Sequence, residues 1–331
     1  MPVFNIEPHI STYVVLVSPQ INYLDRECIY FLKLHSHMLK KDHIDTKGFF
    51  VILLLTILWG LNYSAIKLSN TGLSPVFTTF LRSVIASSCG ILYCIIIKQK
   101  LFHRGILLFH GVMVGVLFGL EFVFLYLGVL YTDSARAVIF IYLSPFVVAA
   151  GAHVFLNEKL NLIKSLGLIL AFLGIYFVFR GKPSTYNNMM LFGDLLTILG
   201  AVLWGITTLY IKKFLADKVH PINTFLYQLV FSIPIMLICA LLLENTWIKH
   251  IDGYILFSLF YQSVIVAFAS YFVWFKLIYK YPVAKLSAFT FLTPIFGVLF
   301  GALFYKEQLT TWLVVGLVLV CAGIYCANYK K

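Results

Sequence analysis

Charge is scarce in this chain. Of its 331 residues, 11% are Asp, Glu, Lys or Arg, against about 25% in a soluble domain. Acids are scarcest, 13 against 25 basic residues. Signatures of bound-group chemistry are absent too: there is no HExxH, GxSxG, GxxxxGK[ST] or paired CxxC. Zinc, nucleophile-elbow and nucleotide machinery are therefore not signalled, and neither cofactor nor metal is expected. The six cysteines form no framework, since Cys89, Cys94, Cys239, Cys321 and Cys326 lie inside apolar runs. What is abundant is apolar surface, with 61% hydrophobic residues, 17% aromatics and a mean hydropathy of +0.93. No soluble fold of this size hides so much, and disorder is excluded on the same ground. The net charge of +12 is scattered between apolar blocks, which excludes a nucleic-acid face.

A helix needs about 20 mostly apolar residues to cross the ~30 Å hydrocarbon core. Such runs fall at 49–69, 74–97, 106–130, 135–156, 160–179, 191–211, 221–243, 253–275, 283–305 and 311–329. They are continuous, without the short alternating segments of a membrane β-barrel. The predicted class is an all-α polytopic membrane protein of ten transmembrane helices, with lipid as its surroundings. If the N-terminus faces the cytoplasm, sixteen Lys and Arg fall on inner segments, among them Lys98, Arg104, Lys159, Lys212 and Lys285. Only Arg136, Arg180, Lys182, Lys249 and Lys306 fall outside. That bias places both termini in the cytoplasm. Residues 1–47 form an N-terminal cytoplasmic extension. Its first 37 residues lack the parts of a signal peptide and read either as a mis-assigned start upstream of Met38 or as a loosely ordered tail.

The chain repeats itself. A shift of 149 aligns 143–176 with 292–325 at 11 identities in 34 positions, including Pro145/Pro294, Glu158/Glu307, Gly167/Gly316 and Gly174/Gly323. Near the start of each half, a shift of 145 pairs Trp59-Gly60 with Trp204-Gly205. The two halves, 48–180 and 181–331, hold five spans each. An odd number forces opposite topology, and inverted repeats place a site at mid-membrane that opens alternately to either side. This points to a transporter.

Trp59-Gly60-Leu61-Asn62-Tyr63-Ser64-Ala65-Ile66-Lys67 resembles the first-helix signature of EamA-type drug/metabolite transporters. Phe80-Leu81-Arg82 resembles the second-helix motif. The stretches from Pro145 through Glu158 to Gly174, and from Pro294 through Glu307 to Gly323, resemble the fourth-to-fifth helix signature and its repeat. The resemblance covers about residues 48–330. It implies two inverted five-helix repeats, alternating access, a small metabolite as cargo and a cell-membrane location, with a bacterial inner membrane expected.

The candidate cargo residues lie mid-span. Glu121 sits well inside the third span, where a charge costs roughly 2.5–3.5 kcal/mol. It reads either as a site for a cargo ammonium or an exchanged proton, or as a structural partner of Lys67 or Arg82. Its repeat equivalent is Ser270, so the site is asymmetric. Lys67 and Arg82 can snorkel, pair, or recognise a carboxylate or phosphate. Asn62 and Thr207 bind cargo or bond across helices. Trp59, Trp204, Tyr271 and Trp274 are cavity walls or packing. Pro145 and Pro294 remove a helix hydrogen bond mid-span and are kinks or hinges. Gly111, Gly115, Gly119, Gly297 and Gly301 are read as close-packing positions. Glu158 and Glu307, at span ends, are read as interlocking with nearby backbone.

The leading function is a secondary transporter of a small polar metabolite, an amino acid or related compound, either exported in exchange for protons or taken up by substrate exchange. It acts as a monomer or homodimer. Two other classes remain: an intramembrane enzyme acting on lipid or isoprenoid, which needs clustered acids, histidines or metal ligands, and a non-transporting receptor or scaffold.

Overall fold

The computed structural model describes residues 41–132, 134–178, 188–306 and 311–329, and of Leu130, Ser134, Ala135 and Arg136 the backbone alone. The readings of residues 1–37, Arg180, Lys182 and Glu307, and of the Arg136 side chain, lie outside what is described.

Among the described residues, ten helical spans run in chain order: α1 (Thr46–Ser69), α2 (Pro75–Ile96), α3 (Ile106–Tyr131), α4 (Ser134–Ile141 and Ser144–Phe155), α5 (Leu162–Val178), α6 (Asn188–Leu215), α7 (Pro221–Leu243), α8 (Gly253–Lys280), α9 (Val283–Tyr305) and α10 (Thr311–Asn328). Nine of them are long and apolar enough to cross a membrane, and α5 is a shorter apolar helix of 17 residues. At 1.5 Å per residue, 17 residues reach about 25 Å, near the lower limit for a span. Large apolar side chains such as Leu162, Tyr254 and Leu242 stand 74–78% exposed on the outer faces, the surface a bilayer covers. The chain is a multi-pass membrane protein.

The helix starts follow local capping. α1 begins three residues earlier than hydropathy predicts because Asp45 caps it, accepting from Gly48 N at 2.9 Å. Pro75 and Pro221 occupy first-turn positions, where a missing N–H costs nothing.

Three spans depart internally from a continuous α-helix, and α6 ends in a π-turn at Ile211–Leu215. α4 breaks at Tyr142-Leu143, and α9 passes through a 3₁₀ turn at Thr290–Leu292. Both breaks sit just before the paired prolines. A proline ring clashes with the carbonyl four residues back, and those residues are Ile141 and Thr290, where the regular helix stops in each half. In α8, residues Tyr261–Ser270 wind as a π-helix, which apolar periodicity does not foretell.

Glycines set the closest packing. Gly111, Gly115 and Gly119 leave a groove on α3 that receives Tyr227, Phe231 and Ile235 of α7, spaced one helical turn apart. α5 and α10 meet the same way through Gly167, Gly174, Gly316 and Gly323, whose backbones come into direct contact. Gly60 and Gly297 bring α1 against α9, with Tyr63 lying over Gly297.

The helix ends on each face are joined across the two halves. On the face where α2 starts, the Glu244 carboxylate accepts from Val76 N and Phe77 N, both at 2.8 Å. Beside it Trp247 stacks on Phe77 at 4.9 Å, and Ser74 N donates to the Trp247 carbonyl at 3.0 Å. On the opposite face Gln99 donates to Asn223 at 3.1 Å, and Asn223 donates to the Leu101 carbonyl at 2.8 Å. There Glu158 accepts from Val283 N and Ala284 N at 3.0 and 3.1 Å, the interlocking expected of it.

Candidate functional site

α1, α2, α3 and α8 place one polar cluster in the middle of the bundle. Trp59 Nε1 donates to Ser270 Oγ at 2.8 Å, and the Trp59 ring meets those of Trp274 and Tyr271 edge-on at 5.3 and 6.3 Å. Ser270 is the residue aligned with Glu121 by the repeat. From α2, Arg82 Nη2 donates to Tyr271 Oη at 2.8 Å. The guanidinium lies 5.4 Å from the Tyr271 ring centroid and 5.8 Å from that of Phe122. Arg82 is 7% exposed, so it faces inward and does not snorkel to the boundary. Stacking between aromatic faces suits its weakly hydrated, planar cation.

Glu121 is also 7% exposed, near the middle of α3. Its Oε2 is buried with no hydrogen-bond partner, while the Arg82 charge is near enough to act on it. Lys67 stands elsewhere, toward the end of α1, 4.1 Å over the Tyr305 ring. Of the two cations expected near Glu121, the structure brings Arg82 into its field.

Trp204 belongs to a second aromatic group. Its ring meets Tyr142 at 6.0 Å, and Tyr142 meets Phe291 at 6.3 Å. Tyr142 and Phe291 are equivalent under the 149 shift, so the two helix breaks face each other. Tyr63 Oη lies 3.5 Å from Tyr142 Oη and links this group to α1. Thr207 is turned onto its own helix, donating to the Leu203 carbonyl at 2.8 Å. Asn62 leaves Oδ1 buried and unpartnered one turn from Trp59. Pro145 and Pro294 stand at the breaks, not among the cluster's polar atoms. Tyr63, Phe122, Tyr142 and Phe291 were not singled out by sequence; a signal for two of them is their place three residues before each aligned proline.

His110 is a helix contact, its Nδ1 2.7 Å from Tyr210 Oη and its ring stacked on Phe214. Among the described residues no three His, Cys, Asp or Glu gather where a metal could sit.

The model of the EamA-like transporter family matches residues 46–180 and again 191–329. The chain belongs to the EamA-like transporter family. It is 30% identical over 293 residues to an uncharacterized transporter of Archaeoglobus fulgidus, covering 86% of this chain and all of that one. Over 279 residues it is 25% identical to the uncharacterized transporter YoaV of Bacillus subtilis, at 84% and 95% coverage. A Salmonella typhimurium protein named "Probable amino-acid metabolite efflux pump" is 26% identical over 291 residues, at 85% and 95% coverage. A solved crystal structure 17% identical superposes with a TM-score of 0.74, over 84% of this chain and 95% of that one, and shows the shared fold. Each EamA-like copy contains five helical spans, one Trp-Gly pair on its first helix and one proline break on its fourth.

Proposed function

We propose that this EamA-like protein is a secondary transporter of a small zwitterionic metabolite of the amino-acid class. It works by alternating access across the cell membrane, between two inverted five-helix halves. The observation that carries the reading is Glu121: a mid-span carboxylate with a buried, unpartnered oxygen, in the field of an Arg82 held by Tyr271. An acid kept at that depth is costly unless something meets it. A cargo ammonium, or a proton exchanged for it, fills that role. Arg82 presents a planar fork for the cargo carboxylate, and Tyr271 beside it packs on Trp59, which in turn meets Trp274. The name of the Salmonella relative supports the same class of cargo. Five spans per family-model copy support the inversion, because an odd number of crossings reverses direction. The excess of Lys and Arg on one side supports cytoplasmic termini, and the resemblance to bacterial relatives supports a bacterial inner membrane as the location.

The test is thermal stability of the purified protein against amino acids, their decarboxylated amines and their deaminated acids. A ligand at 100 times its Kd stabilises by about 2.7 kcal/mol. Zwitterions are expected to raise Tm. Glu121→Gln should abolish the preference for the ammonium, and Arg82→Gln the preference for the carboxylate. Equal responses of wild type and both variants would remove the pair from cargo binding.

A further inference from the structure

Away from the central cluster, a cavity of about 210 Å³ opens on the face where α1, α5 and α9 begin. Its floor is apolar: Ala149 of α4, Leu168 of α5 and Ala327 of α10, each at most 5% exposed. Its rim is charged, with Lys159 and Lys164 from the first half and Lys285 from the second, against Asp42 and Glu158. Glu158 spends both oxygens on the Val283 and Ala284 amides, and Lys285 Nζ donates to the Asp42 backbone carbonyl at 2.9 Å, leaving three lysines against the single Asp42 carboxylate at the rim. Lys164 Nζ is held at the rim by the Lys159 carbonyl, 2.6 Å away. Three lysines from the two halves therefore line a pocket that joins α4 and α5 to α9 and α10 at the helix ends on this face.

We propose that this seam cavity binds a phosphate group, with the Lys159, Lys164 and Lys285 ammoniums around the oxyanion and the apolar floor beneath its ester carbons. The phosphate comes either from an anionic lipid of the surrounding leaflet or from a soluble phosphate compound. Because its lysines come from both halves, the ligand ties the two together on this face.

The experiment uses the full chain, delipidated in neutral detergent, with Tm and native mass spectrometry as readouts. Phosphatidylglycerol, phosphatidylcholine and inorganic phosphate are added separately to wild type, Lys159→Gln/Lys164→Gln, and Lys98→Gln as an exposed basic control. Phosphatidylglycerol should bind and raise Tm in wild type and Lys98→Gln. The double variant should need about thirtyfold more lipid, the loss expected for two ammoniums near a membrane surface. The same pattern with inorganic phosphate would assign the soluble source. Should the double variant fail to fold, Lys159→Gln alone is compared, since that residue is exposed. Equal responses to phosphatidylglycerol and phosphatidylcholine with none to phosphate, or a lysine variant that responds like wild type, would overturn the proposal.

Discussion

The acids at the ends of the spans and the acid in the middle of one live under opposite rules. Asp45, Glu158, Glu244 and Asp252 each accept from backbone N–H groups of a helix start. Asp45 also takes the Lys41 ammonium and the Tyr281 hydroxyl, and these bonds, with Lys41 foremost, hold its carboxyl below the usual carboxylate range. Burial lifts the Glu158 carboxyl, and the Ala284 and Val283 amides pull it back. These acids complete helices, and a negative charge near a helix N-terminus is favourable in itself. Glu121, by contrast, has an oxygen that nothing in its surroundings satisfies. An acid that finishes a helix is explained by the fold. One left open at mid-membrane is, on the proposed function, open for a cargo ammonium or a proton.

The largest effect that sharpens this comparison is a split between flux and stability. Glu121→Gln should cut transport by about 10- to 100-fold, the loss of a charge-assisted contact, with Tm unchanged or higher. Glu244→Gln should do the reverse, lowering stability by about 1–3 kcal/mol while transport per folded molecule holds. Radiolabelled uptake in proteoliposomes, beside thermal unfolding of the same preparations, separates them. A fall in Tm for Glu121→Gln would break the comparison.

Next in size comes packing without charge. Gly115→Leu drives a side chain into Phe231 and the Tyr227 carbonyl and should cost about 1–3 kcal/mol. Gly253→Ala, whose new methyl meets nothing within 4 Å, should leave Tm alone.

Acidification should reveal a further helix-end group. His220 caps α7 by accepting from Ile222 N at 3.2 Å, and burial, helped by the Lys276 charge, lowers its pKa from 6.5 to about 4. Between those values the unfolded chain binds a proton that the folded one refuses, so stability is full above about pH 6.5 and falls as pH drops toward 4. His220→Asn, which keeps a capping acceptor, should flatten Tm over that window. Smallest of all is Asp45→Asn. Asparagine caps as well as aspartate, and the partly exposed pair with Lys41 contributes about 0–1 kcal/mol.

Apolar run length, read against the thickness of a bilayer, gave the ten spans to within a few residues, because that limit acts on each segment alone. Glycine spacing on α3 likewise announced a close partner, though not that the partner would be α7. What stayed hidden depends on residues far apart in the chain. Arg82 sits seven residues into its span and reads as a snorkelling cation until Tyr271, 189 positions later, is brought beside it. Glu244 looks like an ordinary boundary acid until α2 starts above it. The breaks in α4 and α9 were half legible: the aligned prolines predict a kink, but the loss of regular helix before each also needs the carbonyl four residues back to give way. Nothing in the apolar pattern of α8 marks the π-wound run, since a wider turn buries the same side chains.

The helices α2 and α7 lie side by side and are fastened at both ends, by Glu244 on one face and by Asn223 with Gln99 on the other. Two rods bolted together top and bottom can tilt as a pair but cannot slide. A slip of one turn, about 5.4 Å, would shear both fastenings at once. Under load the pair is a single strut with one spring constant. A force probe drawing α7 out of the membrane should therefore lift α2 with it, as one rupture event and not two.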